Sequence, residues 1–273
     1  MEEVSESIYD HPKYYDLVFG ADCAAELKFL EGCNAKHLEG RAERWFEPAC
    51  GTGRLLFRLA QRGYAVGGID LNPKAVEFCN RRLERHGFAA AVEGDMAAFK
   101  LAELRDSSSR SEPKLWDLAF NTINSFRHLG TERAARSHLE CLAGVVRSGG
   151  LYVLGLHLRC TEAPPSETES WSARRGNLAV NTHMWTLERN VPKRVERFGI
   201  RFDVHTPTRQ FRISDELVLR SYTDRELRRL VKSAGGWEIE ETYDFSYDID
   251  APIAVDATCE DVVYVLRRTA ERA

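Results

Sequence analysis

From Phe46 to Arg54 the chain reads Phe-Glu-Pro-Ala-Cys-Gly-Thr-Gly-Arg, the end of an apolar run leading into a glycine turn. Glycine takes backbone conformations that a side chain forbids, so such a turn can approach a ligand closely and aim free amides at it. Seventeen residues after Gly53 stands Asp70, closing a second apolar run. A carboxylate at that point of a βαβ unit is placed to accept hydrogen bonds from ribose hydroxyls. Together the turn and the acid point to a nucleoside-bearing ligand. A dinucleotide fingerprint would need glycine at position 56, where Leu56 stands, and no Gly-Lys-Ser/Thr phosphate loop is present.

The elements that must hold these residues follow from hydrophobic period. Short β-type runs at Arg44 to Pro48, Ala65 to Asp70, Ala89 to Gly94, Leu115 to Asn121 and Gly150 to Leu158 alternate with helical patterns. The helices are expected at Arg54 to Gln61, Pro73 to His86 and Glu132 to Val146, with Pro73 suited to a first turn. That rhythm predicts a parallel sheet covered on both faces. The segment from Ser107 to Pro113 reads as a polar loop. Between Trp171 and Leu219 the texture becomes antiparallel, with strands expected at Leu178 to Leu187, Arg194 to Val204 and Gln210 to Leu219. A helix over Asp224 to Ala234, stopped by Gly235 and Gly236, and strands at Trp237 to Tyr243 and Val262 to Arg267 then restore the α/β pattern.

With these motifs in place, the sequence resembles the class I S-adenosylmethionine-dependent methyltransferases, across residues 1–158 and again from Ser221 onward. Four segments carry the resemblance. Glu47 to Gly53 is similar to the first family motif, which wraps the methionine half of the cofactor, and Asp70 matches the ribose-binding acid. Gly94-Asp95-Met96 resembles the adenine-holding segment. Asn121 to Leu129 resembles the fourth-strand motif of small-molecule members, including relatives of glycine N-methyltransferases. The resemblance implies cofactor contacts from Glu47, Ala49, Gly51, Gly53 and Arg54 around the methionine, Asp70 and Leu71 at the ribose, Asp95 and Met96 at the adenine, and Asn121 beneath the methyl. Tyr15, in the aromatic segment Tyr9 to Gly20, is expected to fold over the cofactor, where an aromatic face beside a sulfonium is favourable. Ala49 replaces a glycine common in the family, a change expected to narrow the turn slightly. The fourth motif lacks the Asn/Asp-Pro-Pro-aromatic sequence used on nucleobase amines or glutamine side chains, and no Pro-Cys dipeptide offers a nucleophile for attack on cytosine.

The implied fold is doubly wound α/β: a mostly parallel, seven-stranded, Rossmann-like sheet with an antiparallel last strand, carrying an antiparallel β-rich lid. Residues 1–158 and 221–273 are expected to form the cofactor domain and 159–220 the inserted lid. In the implied reaction an activated methyl passes in line to an N or O atom of a small molecule, so positioning does most of the work. Asn124 and Arg127 are expected to orient the acceptor, and His128 or His157 to serve as base where one is needed. From Trp171 to Arg212 the lid carries nine basic against three acidic residues, which suggests an anionic acceptor or, alternatively, RNA; a non-catalytic cofactor-binding protein is a third reading.

Composition sets the outer limits. In 273 residues, 43% hydrophobic and 29% charged, there is enough apolar surface for a sizeable core. A charge of -4, from 38 basic and 42 acidic residues, disfavours a general nucleic-acid binder. Seven scattered cysteines without a Cys-x-x-Cys pair argue against a disulfide framework or zinc ribbon, and His183, His205, Cys160 and Asp203 match no ligand spacing. The acidic start MEEVSESIYD and the absence of a membrane-length apolar run lead to the expectation of a cytoplasmic protein with no metal.

Overall fold

A computed structural model describes residues 2–20, 22–85, 90–107, 114–160 and 168–270. Most of the expected polar loop at Ser107 to Pro113, His86 at the end of one expected helix and Ala89 at the start of one expected strand lie outside the described residues. In chain order the elements are β1 (Glu2–Val4), α1 (Pro12–Phe19), α2 (Ala24–Leu38), β2 (Arg44–Pro48), α3 (Arg54–Gln61), β3 (Ala65–Asp70), α4 (Pro73–Glu84), β4 (Ala91–Glu93), β5 (Trp116–Asn121), α5 (Glu132–Val145) and β6 (Val146–His157). They continue as β7 (Thr168–Arg175), β8 (Leu178–Asn190), β9 (Val195–His205), β10 (Gln210–Arg220), α6 (Asp224–Ala234), β11 (Trp237–Tyr243) and β12 (Asp261–Arg268).

The main sheet has seven strands in the order β11-β12-β6-β5-β2-β3-β4. Strands β6, β5, β2, β3 and β4 run parallel, whereas β12 is antiparallel to both neighbours, as the family resemblance implies. β5 and β6 are apolar along both faces because helices cover both. On one face Leu27, Leu30, Leu55, Leu59 and Leu83 pack on the strands; on the other, Leu139, Leu142, Leu227 and Leu230 do so. Local chemistry starts the helices. The Asn72 side chain accepts from the amides of Lys74 and Ala75, with Pro73 in the first turn of α4, and Thr223 with Glu226 forms a capping box on α6.

The second sheet runs β1-β10-β9-β8-β7. Its inner face buries Val180, Ile200, Phe202, Val204 and Ile213 against Ile8, Leu17 and Val18 of the N-terminal segment. This sheet has two more strands than the reading of the lid from sequence provides. β7 is polar and mostly exposed, so it carries no apolar alternation to recognise, and β1 is three residues long and pairs, in parallel, with a strand some two hundred positions away. The N-terminal segment therefore packs with the inserted sheet as well as with the main one. Among the described residues no helix is long and apolar enough to cross a membrane.

Candidate active site

β2 is the point where the sheet's winding reverses, with β3 on one side and β5 on the other, which is where such sheets open a crevice. The β2–β5 ladder pairs only Trp45 with Leu118 and Phe46 with Ala119, and beyond them the strand ends part. The turn from Ala49 to Gly53 fills the mouth of this opening, and Ala49, Gly51 and Gly53 all take positive φ. At Gly53 the need is twofold, because a Cβ would also sit 2.2 Å from Cys79 Sγ. At Ala49 the φ of 52° shows a physical cost of replacing glycine: left-handed backbone, worth roughly 1–2 kcal/mol per residue.

Asp70 ties this turn to the end of β3. Its two oxygens accept from the amides of Gly51 (2.7 Å) and Asn72 (2.9 Å). Burial raises its pKa, and those two amides work against the rise. Glu47 is buried with one carboxylate oxygen lacking any hydrogen-bond partner, and burial pushes its pKa well up despite the nearby Arg54. Arg54 is held by both oxygens of Glu26 (2.5 and 2.6 Å) and reaches Thr122 Oγ1 at 3.1 Å. At the far side Leu71 is 72% exposed beside Asp95 and Met96. Asn121 is buried; its amide donates to the Pro48 carbonyl and its oxygen accepts from the Tyr152 hydroxyl at 2.8 Å.

On the side facing the second sheet, Asn124 takes a left-handed conformation with its side-chain oxygen on the His157 amide, 2.8 Å away. Arg127 is buried and bridges the two sheets, donating to Glu196 and to the Arg220 carbonyl (3.1 Å). Next to it, His128 Nε2 lies 3.0 Å from the Tyr9 hydroxyl. His128 presents an edge to the cavity but is crowded by protein elsewhere, and this desolvation, with Arg127 adding to it, lowers its pKa. Tyr9 packs on Tyr15 at 5.3 Å, and burial pushes the Tyr15 hydroxyl up to about 12. His157 Nδ1 meets Asp261.

Of the fifteen residues singled out from sequence, all but Gly53 line one continuous cavity of about 1270 Å³; Gly53 stands behind the turn, against Cys79. Sequence reasoning did not reach Glu26, which carries no local signal, nor the buried Asp16, which binds Arg82 (2.9 Å) and Thr52 (3.1 Å) and locks α1 to the turn. The arginines of the inserted sheet mostly face carboxylates: Arg194 meets Glu132, Arg197 meets Glu188 and Glu216, Arg209 meets Glu2, and Arg212 meets Asp203, all within 3.2 Å.

Residues 46–150 match the family model of a methyltransferase domain. No curated protein matches the chain in sequence. Among solved structures, a sugar N-methyltransferase from Streptoalloteichus sp. is similar with a TM-score of 0.73 at 16% identity, over 99% of this chain and 96% of that one. An S-adenosylmethionine-dependent methyltransferase from Clostridium acetobutylicum gives 0.72 at 14% identity, over 95% and 98%. An amino pentose methyltransferase from Micromonospora echinaspora, solved with S-adenosylmethionine bound, gives 0.69 at 20% identity, over 98% and 100%. At these identities the likeness establishes the fold, which is that of the class I methyltransferases.

Proposed function

Because the chain carries a methyltransferase domain of the class I fold, we propose that it transfers a methyl group from S-adenosylmethionine, in line, to an N or O atom of a small molecule, with the amino group of a sugar as the leading acceptor. The observation that carries this reading is the single cavity running from the Ala49–Gly53 turn to the inner face of the second sheet, so that donor and acceptor share one enclosed space. When bound, the cofactor supplies a sulfonium-activated methyl. The residues present fit it. The unpartnered Glu47 oxygen needs a donor, the exposed Leu71 needs a cover, and each Asp70 oxygen keeps a second lone pair for a ribose hydroxyl. Ala49, Gly51 and Arg54 would face the methionine portion, Asp95 and Met96 the adenine, and Tyr15 and Asn121 the region of the methyl, with Gly53 keeping the turn tight from behind.

For an amine to attack, it must shed a proton. Crowding by protein and the neighbouring Arg127 lower the His128 pKa, which favours the neutral ring, and it can accept that proton through the Tyr9 hydroxyl 3.0 Å away. Asn124 and Arg127 shape the acceptor's side of the cavity, Arg127 through its bridge to Glu196. The sugar enzymes among the structural neighbours favour an aminosugar as that small molecule. The anionic acceptor and the RNA alternative draw little support, since the basic residues of the insertion are largely spent on carboxylates. The second sheet, its strands β7 to β10 with the N-terminal segment, acts as the cap over the acceptor. Seven unpaired thiols suit a reducing compartment, and we place the protein in the cytoplasm.

The test is thermal unfolding with S-adenosylmethionine, S-adenosylhomocysteine and NAD in parallel, then mass spectrometry on a panel of aminosugars. A ligand at ~100 times its dissociation constant stabilises by ~2.7 kcal/mol. Stabilisation by the first two and a methylated aminosugar are expected; stabilisation by NAD alone overturns the reading.

A further inference from the structure

A buried chain of polar groups runs beneath the crevice without touching the cavity at most of its points. The carbonyl of Met96, after β4, accepts from His138 Nδ1 at 2.8 Å; His138 Nε2 lies 2.9 Å from the Tyr152 hydroxyl; Tyr152 donates to Asn121 Oδ1 at 2.8 Å; and the Asn121 amide donates to the Pro48 carbonyl. His138 and Tyr152 are fully buried, one on α5 and one on β6.

The position of the last link gives the chain its meaning. In the β2–β5 register, Pro48 stands opposite Asn121, two residues past the point where the backbone ladder stops. The Asn121 side chain thus replaces the missing ladder bond and spans the crevice where the strands part. Its amide cannot turn over, because its nitrogen must face the Pro48 carbonyl, and Tyr152 meets the other end. A carbonyl cannot donate, so His138 carries its proton on Nδ1, which fixes the ring and leaves Nε2 as an acceptor facing the Tyr152 hydroxyl. The single phenol proton goes to Asn121 Oδ1, and His138 Nε2 stands 2.9 Å from the same hydroxyl as its alternative acceptor.

We propose that His138 and Tyr152 are positioning residues of the cofactor site, which join the adenine-side segment at Met96 to the methionine-side turn after Pro48 and set the width of the crevice between them. The inference rests on the methyltransferase reading above. It requires that a ligand spanning both sides feel the loss of the link more than a ligand reaching one side.

Calorimetric titration of wild type and Tyr152→Phe with S-adenosylhomocysteine and with adenosine tests this, with unliganded thermal unfolding as the measure of general damage. Tyr152→Phe is expected to weaken S-adenosylhomocysteine about tenfold and adenosine less than threefold. His138→Asn, whose amide retains a donor toward Met96 but falls short of Tyr152, is expected to show the same split and decides the matter if Tyr152→Phe does not fold. Binding of S-adenosylhomocysteine within twofold of wild type, or equal losses for both ligands, overturns the proposal. Failure of the wild type itself to bind S-adenosylhomocysteine overturns the methyltransferase reading instead.

Discussion

The two walls of the cavity are built by different means. On the cofactor side, the turn and its acid are set by local contacts, a turn of five residues, the acid at the end of the next strand and the amides between them, and a few long-range pairs such as Arg54 with Glu26 brace them. On the acceptor side, nearly every polar contact joins residues far apart in the chain, such as Arg127 with Glu196, Ser7 with Asp215 and Tyr9 with His128. A ligand common to many enzymes can be held by backbone geometry that tolerates little change. The acceptor wall, made of replaceable side-chain pairs, is free to differ from one enzyme to the next.

The sharpest way to break this contrast is at the acceptor wall's chemistry. His128→Ala is expected to lower kcat/KM by ~10²–10⁴, the usual worth of a general base, while leaving S-adenosylhomocysteine affinity unchanged. Steady-state kinetics beside calorimetry checks both halves. A loss of cofactor affinity would show that the walls are not separable.

Between the walls lies His138, whose pKa burial lowers to about 4. A histidine depressed in the folded state contributes stability that is full above its unfolded pKa of ~6.5 and is lost as pH falls toward 4. The difference amounts to roughly 3 kcal/mol at ~1.4 kcal/mol per pH unit. Urea unfolding at pH 7 and pH 4.5 should show most of this loss in wild type and little of it in His138→Gln.

On the cofactor wall, Asp70→Ala removes charge-assisted bonds worth about 1.5–3 kcal/mol each. The expected result is at least a tenfold weaker S-adenosylhomocysteine, and an unchanged affinity would withdraw Asp70 from the ribose. The smallest effect is expected at Ala49. Ala49→Gly relieves left-handed strain but adds chain entropy, for a net gain of roughly 0.5 kcal/mol in chemical unfolding.

The same contrast explains what could be read from the sequence. The ranges expected for β2, β3, α3, α6 and β11 coincide with the observed ones, since each has one clear apolar face or a local stop signal. α2 is absent from the helices expected because its buried residues spread around it, with Leu27, Phe29 and Leu30 all in the core and Phe29 packed on Tyr243 at 4.9 Å, so no single stripe marks it. In the cavity, Asp70 and the glycine turn are legible because spacing along the chain sets their geometry. Glu26, Asp16 and the Tyr9–His128 contact are not, because only the tertiary fold brings them to their partners.

The pairing of Glu2 with Phe211 carries a consequence for synthesis. A chain emerging at ~5–20 residues per second exposes its first strand roughly 10–40 seconds before the partner strand leaves the ribosome. During that interval strands β2 to β6 emerge while the aromatic segment that precedes them has nothing to close against. The roof of the cavity therefore closes late, when the first-made segment of the chain meets a strand made some two hundred residues after it.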